Sequence, residues 1–381
     1  MAFLFFQEKR HWGTWGAPVK IHHWLLNLLL NYVSGALVMA SNIVVVTGAS
    51  GYIGSHIVSN LLRRGRHVRA TVRDSSDPDR VAHLEALEIG RGGSLEIVEM
   101  DLFDIDSVNN AILGAEEVIH TAAAVMIMSS NPQLKIVDPS VIGTQNIVAA
   151  IDNSDSVRCL IHTSSTAAIR PTKWKNGTTL TSETWADDAT LENNPYGLAK
   201  VSSERIVRNW YSQKSVESRK RLVTIHPCMV FGPPMSTRHL RGSLALMMSV
   251  LRREMPVVLP MQINVVDVRD VAEAHVRALS GGEDGGRYLV TAGDVSMREM
   301  AKLLKSQYPD MSLPSFELPY PLALIAALFH PKISVSWARS HLKKKIYWDS
   351  FPAKKDLGMD WISPADSILA AAERVIENDW V

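Results

Sequence analysis

The sequence predicts an α/β fold, a doubly wound parallel sheet, on three observations. Short β-branched runs alternate with amphipathic stretches from residue 43 to 228, the runs are apolar enough to be covered on both faces, and a glycine-spaced turn follows the first of them. Strands are expected at "IVVVT", "VRATV", "LEIVEM", "EEVIHTAA", "VRCLIHTSS" and "RLVTIHP". Between them the apolar spacing predicts helices over 51–64, 78–88, 105–113, 134–151 and 195–213.

Past residue 228 the alternation degrades. Proline-rich turns ("FGPP", "LPSFELPYPL") separate helices expected near 240–253, 268–279, 296–307 and 364–378. The division read from this is a sheet domain over 41–228 and a smaller, mainly helical lobe over 229–381, with short strands able to return to the sheet. The apolar run from Leu322 to Phe329 is too short to cross a membrane and is expected as a buried helix.

At 381 residues the chain can bury a full core. Its 40 basic and 39 acidic side chains leave a net charge of +1, without the basic stripe that a nucleic-acid partner needs. Cys159 and Cys228 lie far apart in apolar runs, form no metal-ligand spacing, and read as inert thiols of a reducing, cytoplasmic compartment. No metal is expected.

Residues 1–40 are different material. They hold one acid, Glu8, and an uncharged run from Trp24 to Ala40 at the lower edge of a bilayer-spanning length, interrupted by Asn27 and Asn31. The run passes without a linker into the strand at Ile43. Three readings stand: a membrane anchor or uncleaved signal, an organellar presequence, or an extension outside the fold of a protein that could start at Met39. The last is preferred, and membrane association through residues 24–40 stays open, as does the oligomeric state.

The turn "TGASGYIG" places Gly48, Gly51 and Gly54 between a strand and a helix. Gly48 takes the sharp turn, Gly51 lets the backbone approach a pyrophosphate, and Gly54 lets the helix pack on the strand. The helix that begins there, with Tyr52 and Ile53 in its first turn, points free N–H groups and its positive dipole end at the phosphates. In that context the spacing is a Rossmann dinucleotide signature.

The next strand ends "ATVRD". Where an acid would accept the ribose hydroxyls of NAD(H), Arg73 stands first, a partner for the 2′-phosphate of NADP(H); Arg80 is a second clamp. Asp74 keeps NAD(H) as the lesser option.

"NNPYGLAK" puts Tyr196 and Lys200 on one helical face. A phenol titrates near 10, and a neighbouring ammonium together with the cofactor's own positive ring lowers that by favouring the phenolate, which suits it to protonate an oxygen during hydride delivery. Alone, such a pair is an ordinary feature of helix surfaces. What lifts it is "IHTSSTAA" at the end of the fifth strand, where the Ser165 hydroxyl would reach the same point and polarise a carbonyl oxygen; Ser164 and Thr166 are the alternatives if the register differs by one. His226, at another strand end, reads as a structural hydrogen-bonder.

"TGASGYIGSHIV", "ATVRD", "DLFD", "HTAA", "TSS", Tyr196-x-x-x-Lys200 and "NVVDVRDVAEAHVRAL", in this order, resemble the extended short-chain dehydrogenases/reductases, the epimerase/dehydratase-type superfamily, and most closely the dihydroflavonol 4-reductase-like branch. The likeness runs from about residue 42 to 380. It implies that Asp101 and Leu102 contact the adenine, that Thr121, Ala122 and Ala123 line the cofactor ribose, and that Pro227 to Val230, with Met229, hold the nicotinamide carboxamide. It further implies Ser165, Tyr196 and Lys200 as the catalytic set, with Lys200 also gripping the nicotinamide ribose.

Two departures shape the expected substrate. Sugar-nucleotide epimerases of this superfamily usually carry arginine where this chain has His226 in "HPCMVFGP", and basic residues to clamp a diphosphate are not evident. The loop "VMIMSSNP" and the surroundings of the tyrosine do not match the plant reductases, so a flavonoid is not implied. The expectation is an NADPH-dependent reductase of an uncharged or apolar aldehyde or ketone. Its rivals are a sterol dehydrogenase or sugar-nucleotide epimerase of the same superfamily and, from another class, a non-catalytic NADP-sensing regulator.

Overall fold

Seven parallel strands form the centre of the fold in the computed structural model, which describes residues 42–122, 130–329 and 335–381. The expected N-terminal extension, Ala123 and most of "VMIMSSNP" lie outside the described residues.

The strands in chain order are β1 (Ile43–Thr47), β2 (His67–Val72), β3 (Ser94–Glu99), β4 (Glu117–His120), β5 (Cys159–Thr163), β6 (Thr178–Leu180), β7 (Arg221–Pro227), β8 (Met229–Phe231), β9 (Gln262–Asp267), β10 (Gly286–Val290), β11 (Gly293–Ser296) and β12 (Ile346–Trp348). The large sheet runs β3-β2-β1-β4-β5-β7-β10. Its order reverses between β1 and β4, so the crevice beyond their carboxyl ends is the place where such sheets bind ligands. Register sets the level of that edge: Thr47 pairs with His120, and His120 with His162.

The helices are α1 (Tyr52–Arg63), α2 (Pro78–Glu85), α3 (Ile105–Ile112), α4 (Asp138–Asp152), α5 (Pro195–Ser212), α6 (Leu244–Leu251), α7 (Val268–Ala278), α8 (Met297–Gln307), α9 (Tyr320–Phe329), α10 (Val335–His341), α11 (Phe351–Asp356) and α12 (Pro364–Glu377). Each expected helix is present within a few residues, except that 133–137 forms a wide π-type turn leading into α4.

Both sheet faces are covered, as the two-sided apolar runs require. Val44 and Val46 pack with Ile57 and Leu61 of α1 and Val271 of α7, whereas Val45 faces the other way with Ile147 and Ile151 of α4 and Trp210 of α5. One strand thus feeds two cores, and each fully buried Val, Leu or Ile contributes about 1.5–3 kcal/mol.

The segment after 228 is less purely helical than expected. It returns β10 to the edge of the large sheet and builds a second sheet, β8-β9-β11, while β6 pairs with β12. A further core of Phe231, Met247, Ile263, Met300, Leu304 and Ile368 lies there. The run ending at Phe329 needs correction: α9 forms, but it is not buried. Ala323 and Ala327 pack on Ala338 and Leu342, and the large side chains Leu322, Ile325, Leu328 and Phe329 stay exposed. Small residues on one face allow close approach, which turns the bulky ones outward. Among the described residues no helix is long and apolar enough to cross a membrane.

Candidate active site

The glycine turn is built as its spacing demands. Gly48 has φ +67°, and a Cβ there would lie 2.8 Å from Cα of Ala122 at the end of β4. A Cβ on Gly54 would sit 2.3 Å from the Gly48 carbonyl oxygen, so only glycine lets α1 start against the strand. Gly51 is exposed at the N-cap of α1 and leaves the helix N-terminus open to an anion. A tight glycine turn closed against β4 and an open helix N-terminus fit the pyrophosphate of a dinucleotide.

Tyr52 and Ile53 are half-buried in the first turn. The Tyr52 hydroxyl donates to the Gly232 carbonyl oxygen at 2.7 Å, which ties the turn to the end of β8 and leaves the backbone of that turn, not the phenol, facing the crevice. Burial pushes that phenol above its usual value. Arg73 is exposed and makes no ion pair or hydrogen bond among the described residues. Arg80, the expected second clamp, already pairs with Asp77 at 2.9 Å.

Of the residues expected at the adenine, Asp101 Oδ1 accepts from the Phe103 N–H at 2.9 Å, and the Leu102 carbonyl accepts from Asn146 at 2.7 Å. Thr121 donates its hydroxyl to the Thr47 carbonyl at 2.6 Å, and the Ala122 N–H reaches Thr47 Oγ1 at 3.2 Å. At the far side, Pro227 ends β7, Met229 opens β8, and the Val230 N–H donates to Ser243 Oγ at 3.1 Å.

Local chemistry fixes the start of α5. Asn194 caps the helix by accepting from the Gly197 N–H at 3.0 Å, and Pro195 occupies the first turn. A Cβ on Gly197 would collide with the Asn194 side chain at 2.2 Å, which explains the glycine after Tyr196. Tyr196 is half-buried, and the Ser165 side chain is near enough to pull its phenol down. Ser165 also accepts from the Ala167 N–H at 3.1 Å, which holds its rotamer. The fallback residues point elsewhere: Ser164 donates to Glu204 at 2.7 Å, and Thr166 to the Pro227 carbonyl at 3.3 Å.

Lys200 is 5 % exposed and donates to the Thr163 carbonyl at 3.0 Å. Burial lowers its ammonium to about 8, against the field of Glu204, which raises it. In the chain by itself the phenol is shifted the other way from what the ammonium and the cofactor's positive ring together are expected to do. Burial pushes Tyr196 up, only the Ser165 contact pulls it down, and Lys200 is turned toward β5 instead.

Sequence reasoning missed the group behind this face. Glu204, fully buried, accepts from His226 Nε2 at 2.8 Å and from Arg287 Nε at 2.6 Å, besides Ser164. Burial alone would raise its carboxyl; His226 and Arg287 outweigh that and hold it below the usual carboxylate range. Removing one partner from such a pair costs about 3–5 kcal/mol. The available signal was the spacing, since Glu204 continues the Tyr196–Lys200 stripe by one turn. His226 is thus the structural hydrogen-bonder its position suggested. Packing pushes the thiols of Cys159 and Cys228 up to about 12, too high for a nucleophile at neutrality.

With this geometry in hand, likeness to known proteins becomes informative. Residues 44–291 match the NAD dependent epimerase/dehydratase family. A cinnamoyl-CoA reductase of Medicago truncatula is 32% identical over 279 residues, covering 72% of this chain and 83% of the relative. An anthocyanidin reductase of Arabidopsis thaliana is 31% identical over 284 residues, covering 69% of this chain and 80% of the relative. Among solved structures, the yeast methylglyoxal/isovaleraldehyde reductase Gre2 complexed with NADPH superposes with a TM-score of 0.72 at 23% identity, covering 89% of this chain and 99% of that one. Vestitone reductase from alfalfa gives 0.67 at 24% identity, with the same coverage of 89% and 99%. At those identities the structural likeness speaks for the fold.

Proposed function

Because the chain belongs to the NAD dependent epimerase/dehydratase family, the extended short-chain dehydrogenases/reductases, on the dihydroflavonol 4-reductase-like side, we propose that it is an NADPH-dependent reductase of aldehyde or ketone groups. The observation that carries this reading is that Lys200, one helical turn from Tyr196 on α5, donates to the Thr163 carbonyl at 3.0 Å, two residues before Ser165. The curated relatives named above are reductases by description, which supports the same reaction type.

The chain's own residues would divide the work as follows. The Gly48–Gly54 turn and the open end of α1 bind the pyrophosphate, and Arg73 takes the 2′-phosphate. Asp101, Leu102, Thr121 and Ala122 flank the adenosine half, and Pro227, Met229 and Val230 the nicotinamide half. NADPH supplies the hydride when bound. Ser165 donates a hydrogen bond to the substrate oxygen, and Tyr196 delivers a proton to that oxygen as negative charge develops there. Lys200 carries its positive charge one helical turn along α5 from that phenolate, anchored on the Thr163 carbonyl. We read residues 42–228 with β10 as the cofactor part, the rest of 229–381 as the substrate lobe, and residues 1–40 as outside the fold.

The test is oxidation of NADPH and NADH by the full chain against aliphatic and aromatic aldehydes, ketones, sterol ketones and a sugar nucleotide. Faster turnover of simple carbonyls with NADPH is the expected result. Tight NADPH binding with no turnover of any of them would favour the sensor reading.

A further inference from the structure

Glu204 collects one donor from each of three strand ends. Ser164 follows β5, His226 lies in β7 and Arg287 in β10, and all three reach the same carboxylate, which has no exposure to solvent. Arg287 also donates to the carbonyls of Ser182 and Thr184, and its guanidinium lies 3.8 Å from the ring centroid of Trp185. As a stabilising device this is poor, because desolvating the charges offsets their attraction and apolar side chains of similar volume often hold a core as well. Apolar residues, however, could not hold the Ser164 hydroxyl, whose neighbour Ser165 lies near the Tyr196 phenol. Nor could they set negative charge one turn from Lys200.

The groups facing Lys200 make that charge matter. His120 comes from β4, His162 from β5 and His275 from α7, and burial drives all three toward the neutral form. Glu204 is the anion whose field works against the desolvation of the ammonium. Glu204 itself is faced by His226 and Arg287, with His162 and Arg208 also within its field.

We propose that Glu204 is a positioning residue of the reaction centre: through Ser164 it fixes the strand end that presents Ser165, and it sets a buried carboxylate one helical turn from Lys200. This rests on the reading of Tyr196 as proton donor.

The experiment compares wild type, Ser164→Ala and Glu204→Gln on a carbonyl that wild type reduces, from pH 6 to 10, with NADPH affinity followed by fluorescence. Ser164→Ala, which keeps the ion pair, is expected to lower kcat about tenfold at unchanged KM for NADPH. Glu204→Gln is expected to move the high-pH limb of kcat to lower pH, because Lys200 loses its proton earlier, while NADPH affinity holds. Should Glu204→Gln fail to fold, Glu204→Gln/Arg287→Gln removes anion and cation together and must show the same shift. A merely structural role would lower thermal stability and leave the limb in place; that outcome, or wild-type kcat in Ser164→Ala, overturns the proposal. Tyr196→Phe run alongside separates the two levels. Its full activity sinks the proton-donor reading, whereas its loss together with an unmoved limb in the Glu204 variant sinks the positioning role alone.

Discussion

The Lys200 ammonium donates to the Thr163 carbonyl across 3.0 Å, joining the middle of the α5 stripe to the end of β5. The contact fixes the distance between the helix bearing Tyr196 and the strand end bearing Ser165, and so holds the two side chains on the same side of the site.

Replacing Tyr196 by phenylalanine keeps the packing and removes the proton. Turnover is expected to fall by about 10²–10⁴-fold, while NADPH binding by fluorescence titration stays at the wild-type level. Activity within a few-fold of wild type would rule out the phenol as donor.

The Lys200 proton is held to about 8 by burial. Below that pH the ammonium is present, and above it the charge is lost. Reduction measured at saturating NADPH is therefore expected to decline as pH rises through that region, and a profile flat to pH 10 would contradict the assignment.

Arg73 is exposed and makes no ion pair or hydrogen bond among the described residues, which leaves it available for the proposed contact with a 2′-phosphate. Arg73→Glu replaces one charge-assisted contact, worth about 1.5–3 kcal/mol, with repulsion. The ratio of kcat/KM for NADPH to that for NADH should drop by about 10- to 100-fold; an unaltered ratio would leave Arg73 as a solvated surface residue.

Gly54→Ala would put a methyl group 2.3 Å from the Gly48 oxygen, which is backbone and cannot swing away. The strand or α1 must shift, at a cost of about 1–3 kcal/mol, and the cradle opens. Differential scanning should show a lower Tm together with weakened NADPH binding. Wild-type values for both would mean the turn is more plastic than drawn.

Several imidazoles are buried neutral. Desolvation lowers His120 and His239 to about 3 and His56 and His275 to about 4. His275 shows how: its Nδ1–H donates to the Val271 carbonyl at 2.7 Å and Nε2 accepts from Thr163 Oγ1 at 2.8 Å, so no position is left for a second proton. The unfolded chain binds these protons near pH 6.5 and the folded one does not, so stability is present above 6.5 and falls with the pH below it. Each group contributes a slope of at most about 1.4 kcal/mol per pH unit. Asp270, raised to about 6 by burial, opposes this only at the lower end. Tm should therefore drop between pH 7 and 6, and a Tm constant over that interval would refute the neutral assignment.

Much of the scaffold was legible because its signals are local. "IVVVT" and "VRATV" read as strands from side chains that favour a pleated, two-sided burial, and Asn194 with Pro195 announces the start of α5. Gly48, Gly51 and Gly54 were legible for the same reason, since a turn needs its glycines at fixed offsets. The ion-paired core of the site was not. Arg287 lies 83 residues beyond Glu204 and His226 lies 22 beyond it, and no spacing rule connects them. The outward face of α9 was hidden too, because "YPLALIAALF" looks equally apolar whichever side packs.

The sequence by itself determined the doubly wound order of elements, the glycine cradle and the sharing of one helical face by Tyr196 and Lys200. Each is a matter of periodicity or of steric limits within one turn of chain. Tertiary structure alone decided that Ser164 is turned to Glu204 and away from the tyrosine, and that Glu204 gathers β5, β7 and β10 behind the site. These depend on which strand ends the sheet order brings together and on which polar groups are then left to satisfy one another away from water, and that is a property of packing between segments far apart in the chain.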